Sequence, residues 1–266
     1  AAIATVIARY VEMIYVLVHT HRHPDKYAFI CGAYSSLHVR KSLVKKIAIT
    51  GTPLLLNEVL WSVGMTLINQ SYSTRGLSVV ASMNITSTAW QLFCVVMFAM
   101  GSAVSILVGQ RLGAGEMEEA KLIDNRLIFL TTVMHIVIGG LIILCAPFIP
   151  LLYNTEPEVR ALATELLIIA GASLPIHAFV HVTYFTIRSG GKTVITFFFD
   201  CVYTWVVPVT LAFFLCRFTS WPIIWIYFCV QFIDITKAII GIFMLRSGFW
   251  AKNVIGETKK TIKLED

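Results

Sequence analysis

The sequence predicts an all-α membrane protein built as a six-helix transmembrane bundle, and three observations carry that prediction. Hydrophobic residues make up 57% of the 266 positions and charged residues 14%, with a mean hydropathy of +0.78. Soluble domains run near a quarter charged, so lipid must be the solvent for much of this surface. The apolar residues are gathered into six long stretches separated by short polar connections. Lysine and arginine, finally, alternate between rich and poor connections as a membrane-threaded chain requires.

The elements follow in order. Residues 1–18 form a first apolar helix carrying Arg9 and Glu12, an i,i+3 pair able to offset its own charge. A polar, basic connection occupies 19–48, and its stretch Val39–Ile47 has the mixed character of an amphipathic helix at the headgroups. Six spans fill 49–246, at about Gly51–Gln70, Leu77–Gly109, Leu122–Leu152, Val159–Ile187, Val194–Cys216 and Ile223–Leu245. At ~1.5 Å rise per residue each can cross a ~30 Å hydrocarbon core, the longer ones by tilting or protruding. A basic tail covers 247–266. The chain opens Ala1-Ala2-Ile3 without Met or a charged leader, as if entered partway through a helix, and a fragment of a longer protein is expected.

Of the 21 Lys and Arg residues, sixteen lie in the 19–48 connection, the second and fourth loops and the tail or, as Arg126 and Arg246 do, at the adjoining span ends. The opposite loops hold only Arg75, Arg160 and Arg217. By the positive-inside rule the tail faces the cytoplasm. The formal net charge of +6 then reflects topology and lipid contact, with no basic stripe on a soluble face to engage nucleic acid.

Two spans carry a carboxylate near mid-depth, Glu58 and Asp200, at a cost of at least ~2.5–3.5 kcal/mol each on insertion scales. Both are candidates to take up a proton or bind Na⁺. Glu58 sits beside Asn57 and one turn before Trp61; Asp200 precedes Tyr203, Thr204 and Trp205, with Pro208 two turns on to kink the helix. Asp234 and Lys237, spaced i,i+3, are expected to neutralise each other. His177, His181, Tyr184 and Arg188 recur at intervals of four, three and four, one face of a helix, which reads as a polar stripe facing a cavity rather than a zinc site. Asn84, Thr86, Ser87, Thr88 and Gln91 make the second span polar at one end, either gluing helices or lining a pathway.

Other patterns fall away. Ser189-Gly190-Gly191-Lys192-Thr193 lacks the glycine five positions before Gly191 and the preceding strand that a phosphate loop needs. The six cysteines are scattered without a C-x-x-C pair, against a disulfide framework or metal knuckle. No Ser/His/Asp set or H-E-x-x-H appears, so nothing argues for an enzyme.

Val108-Gly109-Gln110-Arg111-Leu112-Gly113-Ala114-Gly115-Glu116, followed by Ala120, resembles the V-G-x-x-L-G-A-G-x-x-x-x-A pattern of multidrug and toxic compound extrusion (MATE) transporters. Gly51-Thr52-Pro53 through Asn57-Glu58 to Trp61 is similar to that family's seventh helix. Arg188–Thr193 with Asp200 and Trp205 is similar to its tenth-to-eleventh helix region. The resemblance covers nearly the whole chain.

It implies the C-terminal lobe of a twelve-helix transporter, preceded by the end of the sixth helix, with the first lobe missing. It further implies a multi-pass protein of the cell membrane that exchanges H⁺ or Na⁺ for small organic cations or drugs, with no cofactor beyond the coupling ion. In the NorM-like branch an acid in the seventh helix binds the coupling cation, and Glu58 matches its place; Asp200 is a looser match to a second acid. The branch's Gly-Asp-Thr is here Gly191-Lys192-Thr193. The implied cavity would be lined by Asn57, Trp61, Asn84, Gln91, His177, His181, Tyr184, Tyr203 and Trp205. Two alternatives remain open at this point: a lipid-linked precursor flippase of the same broad fold, which would want a basic cavity, and a regulatory membrane protein without transport.

Overall fold

A computed structural model describes residues 2–27, 30 and 41–251. The described chain divides into two units, one up to Ile49 and one from Thr50 onward. The first contains α1 (Ala2–Arg22), in which Arg9 Nη1 donates to Glu12 Oε2 at 2.7 Å, the pairing expected from their spacing. The start of the Val39–Ile47 stretch, most of the 19–48 connection between Ala28 and Arg40, Cys31, and the tail from Lys252 lie outside the described residues. From Lys41 that stretch is not a separate surface helix, because it forms the first turns of the continuous helix α2 (Lys41–Ser73).

Six helices in the described residues are long and apolar enough to cross a membrane. After α2 come α3 (Leu77–Phe93) and α4 (Val95–Ala114), then α5 (Met117–Cys145), a 3-10 turn at Ile149–Leu152, and α6 (Pro157–Ser189). The fifth span, Thr193–Phe218, is α7 (Thr193–Phe197), π-helical turns at Phe198–Val202 and Trp205–Val209, and α8 (Thr210–Phe218). The sixth, Ile223–Arg246, is α9 (Ile223–Phe232) and α10 (Asp234–Arg246), separated at Ile233.

Two spans differ from the sequence expectation. Leu77–Gly109 is not one helix: it breaks at Cys94, whose ψ of −7° opens the turn between α3 and α4. Leu122–Leu152 begins earlier, at Met117, and its helix ends at Cys145, since Pro147 and Pro150 cannot continue the hydrogen-bond ladder. The π-turn at Trp205–Val209 contains Pro208, so the missing donor there widens the helix rather than ending it.

The packing is organised around α6, which contacts α3, α4, α5, α9 and α10. Its face is unusually buried because the small residues Ala163, Ala170, Gly171 and Ala178 let neighbours approach. At one end of the lobe Val108 and Leu112 of α4, Ala120 of α5 and Val182 of α6 share a core with Trp250, whose backbone carbonyl lies directly over Gly190. The turns joining α4 to α5 and α6 to α7 therefore gather at the same end as the end of α10. Gly115 caps α4 in the left-handed region at φ 88°, which glycine adopts without strain. Arg111 Nη1 then reaches Glu116 and Glu119 at 2.7 and 2.8 Å, and its hydrogen bond holds the Glu116 carboxyl below the usual carboxylate range. At the other end Arg75 donates to the carbonyls of Leu215 and Thr219 at 2.8 and 2.6 Å, closing the open C-terminus of α8.

The tightest crossing joins α5 to α6. A Cβ placed on Gly139 would overlap the Gly171 carbonyl oxygen, and one on Gly171 would lie 2.7 Å from the Gly139 oxygen. Neighbouring Gly140 faces open space, with nothing within 4 Å of a Cβ. Gly139→Ala is therefore expected to lower stability by about 1–3 kcal/mol, the usual range for overpacking. Gly140→Ala should be neutral or slightly stabilising, and thermal unfolding of both variants in detergent micelles checks the contrast.

Candidate functional site

The site grows from four helical segments of the second unit. On α2, Asn57 points into the lobe with 1% of its surface exposed, while Glu58 points out, with 60% of its side chain accessible. Consecutive positions on a helix differ by about 100°, so the two adjacent polar residues address different surroundings. Glu58 is consequently not the buried carboxylate that its mid-span position suggested.

The α6 stripe delivers Tyr184 to the same point. Its hydroxyl accepts from Asn57 Nδ2 at 3.3 Å and donates to Glu58 Oε1 at 3.2 Å. Asn57 Nδ2 also donates to Asp200 Oδ2 at 3.0 Å, and the other Asp200 oxygen, Oδ1, accepts from Lys237 Nζ at 2.7 Å. A polar chain thus runs Glu58–Tyr184–Asn57–Asp200–Lys237 through α2, α6, the π-turn and α10. Arg188, one turn beyond Tyr184, stands 3.9 Å from Glu58 Oε1, an ion pair without a hydrogen bond.

The Lys237 contact overturns one expectation. Lys237 makes no ion pair within 4 Å of Asp234, its neighbour at i−3. Its side chain, 6% exposed, is held by Asp200, 16% exposed, and by the faces of Phe199 and Tyr203 at 5.3 and 5.4 Å. Asp234 instead pairs with His177 Nδ1 at 3.3 Å. Sequence neighbours compete poorly with partners on a facing helix when burial makes a full ion pair obligatory. Asp200 is accordingly no lone carboxylate.

The remaining sequence candidates fall into two groups. Tyr203 donates to, or shares a proton with, the Ile233 carbonyl and Thr236 at 2.9 and 2.6 Å, placing its ring beside Lys237. Trp205 Nε1 donates to the Leu60 carbonyl at 3.0 Å and ties the π-helical span to α2. His181 is clasped edge-on by Phe98 and Phe185, ring centroids 5.4 and 4.9 Å away, with Gly101 immediately beneath. Trp61 is exposed one turn from Glu58. Asn84 and Gln91 are exposed on α3 and join none of these contacts.

Lys237 and Asn57 are the central residues that sequence reasoning undervalued. A lysine and an asparagine inside apolar spans are themselves the signal, because neither is buried without a partner. A second internal carboxylate also escaped notice: Asp124 on α5, 1% exposed, accepts from Thr186 Oγ1 of α6 at 2.6 Å.

Fold and site together define a multi-pass helical membrane protein with a charge-bearing polar chain threaded through the interior of one lobe. A MatE family model matches residues 53–214, and the chain belongs to that family. The probable multidrug resistance protein YoeA of Bacillus subtilis (strain 168) is 25% identical over 230 residues, covering 85% of this chain and 49% of that protein. A MOP superfamily transporter from Pyrococcus furiosus Vc1 (DSM3638), described for the reverse polarity of its binding pocket, superposes with a TM-score of 0.73 at 18% identity, over 80% of this chain and 48% of that one. An outward-facing multidrug resistance MATE family transporter superposes at 0.72, also with 18% identity, over 80% and 48% of the two chains. At that identity the solved structures show the shared fold. The chain spans about half the length of the relatives it matches.

The polar chain makes a specific prediction about stability. Tyr184→Phe keeps the ring and removes the hydroxyl bridging Asn57 and Glu58, while Asn57 retains Asp200. The expected loss is about 1–3 kcal/mol, the net worth of the two hydrogen bonds that the hydroxyl makes, measured by chemical unfolding in micelles.

Proposed function

We propose that the chain is the second lobe of a cation-coupled antiporter that expels organic compounds, driven by H⁺ or Na⁺ and working against a first lobe of the same transporter. The observation that carries this reading is the polar chain from Glu58 to Lys237. It links an accessible carboxylate at the lobe surface to a buried ion pair between two spans whose helices are already irregular.

Glu58 is the entry point. A proton or Na⁺ arriving there offsets the carboxylate charge and weakens its hold on Tyr184 and Arg188. The Tyr184 hydroxyl is then free to reorient, which changes the bonds available to Asn57 and through it to Asp200. An organic cation competes for the same carboxylate, with the exposed face of Trp61 beside it to stack on the cation. Competition for one acid ties drug release to cation uptake. Tyr203 and Trp205, committed to neighbouring helices, act as supports of this site. Rocking of the two lobes would supply alternating access.

The distribution of charge supports an orientation. The turns bearing Arg111, Lys121 and Lys192 gather with the end of α10 at Arg246, and by the positive-inside rule such a cluster favours a cytoplasmic position for that end. The family relationship and the internal charge chain favour transport over a regulatory membrane protein or an enzyme.

Everted vesicles carrying the full-length transporter, loaded with ethidium under an imposed H⁺ or Na⁺ gradient, test the assignment. Glu58→Gln should reduce gradient-driven efflux to that of empty vesicles at normal expression. Efflux equal to wild type under both gradients would remove Glu58 from coupling.

A further inference from the structure

Beside the Glu58 end of the polar chain, α4 and α6 border an open cleft of about 450 Å³, lined by Ser102, Ser105 and Gly109 on one side and Phe185, Arg188 and Ser189 on the other. We propose that this cleft is an oxyanion-binding subsite, taking the phosphate or carboxylate group of a larger ligand through Arg188.

Among the described residues that line the cleft, Arg188 alone is charged. A guanidinium carries five N–H donors in a planar fork suited to two oxygens at once. Among the described residues no acceptor is within hydrogen-bond reach: Glu58 lies 3.9 Å away, and the remaining contact is the Phe185 ring, 5.8 Å from Cζ. The ring supports the guanidinium from one face and leaves its fork open.

The serines extend the donor set unequally. Ser102 and Ser189 give their protons to the carbonyls of Phe98 and Phe185 at 3.1 and 2.8 Å, as serines in membrane helices often do. Ser105 makes no such bond among the described residues and can donate to a ligand. Gly109 leaves its side of the cleft unfilled, and a Cβ there would meet nothing within 4 Å. The volume exceeds that of a bare phosphate and suits a headgroup or organic acid whose charged end meets Arg188. Two sources share that chemistry, an anionic lipid headgroup and a soluble phosphate.

Glu58 makes the site responsive. Its carboxylate beside Arg188 repels an incoming anion, so neutralising Glu58 should tighten anion binding, and the linkage is reciprocal. The subsite does not rest on the antiport reading: efflux could fail at Glu58 while the cleft still binds, and the reverse.

The test is isothermal titration of the full chain in a non-ionic maltoside detergent with two probes, inorganic phosphate and dihexanoyl phosphatidylglycerol below its micelle concentration. Binding of both identifies the oxyanion as sufficient; binding of the lipid alone assigns a headgroup. In either case Arg188→Gln should raise Kd about tenfold or more, the loss expected for a charge-assisted pair. Glu58→Gln should lower it about threefold, as expected for removing one like charge near the surface. Gly109→Leu replaces a helical glycine where space is free, so it should fold and block the cleft, and it decides the matter if Arg188→Gln does not fold. No heat from either probe at millimolar concentration would overturn the proposal. So would binding that Arg188→Gln or Gly109→Leu leaves unchanged.

Discussion

A buried lysine ammonium and a largely buried aspartate carboxylate, 2.7 Å apart, set the terms for the lobe. Neither Lys237 nor Asp200 could occupy its position alone: removing one partner of a buried pair typically costs about 3–5 kcal/mol, because the other charge is left uncompensated. The pair therefore pins α10 to the fifth span, and the consequences spread outward. Phe199 and Tyr203 turn their faces to the ammonium. Tyr203 then bonds at the Ile233 break between α9 and α10. The second carboxylate oxygen of Asp200 is left to Asn57, which brings α2 into the same assembly.

That arrangement explains why irregular backbone collects here. Asp200 lies inside one π-turn and Pro208 inside the next, and each shifts the register of side chains along a span that must also offer Trp205 to Leu60. A regular helix advances each residue by a fixed angle, whereas π-turns let acidic and aromatic residues a few positions apart address different neighbours. Elsewhere the lobe is held by close helix approach, most tightly at Gly139 and Gly171. The close packing surrounds α6, and the irregular backbone lies beside the Asp200–Lys237 pair.

Much of this was legible in the sequence, for identifiable reasons. Long apolar runs have few alternatives in a bilayer, so the spans could be read directly. The His177–Arg188 stripe was visible because helical spacing alone puts those residues on one face, and Arg9–Glu12 paired as a local rule predicts. The misreadings came from information that local pattern does not hold. Asp234 looked like the partner of Lys237 because it is near in sequence, but the actual partner is 37 positions away. Glu58 looked buried because depth along a span was visible and rotation about the helix axis was not. The break at Cys94 has no proline or glycine to announce it, and the structure offers no physical cause for it.

Asp200 and Lys237 form one energetic unit rather than two separately tolerated charges. A double-mutant cycle measures this directly, using chemical unfolding of the wild-type chain, Asp200→Asn, Lys237→Met and the double variant in the same detergent. Each single substitution is expected to cost about 3–5 kcal/mol, and the double well under their sum. Additive losses, or single losses no larger than those at an exposed charge, would contradict it.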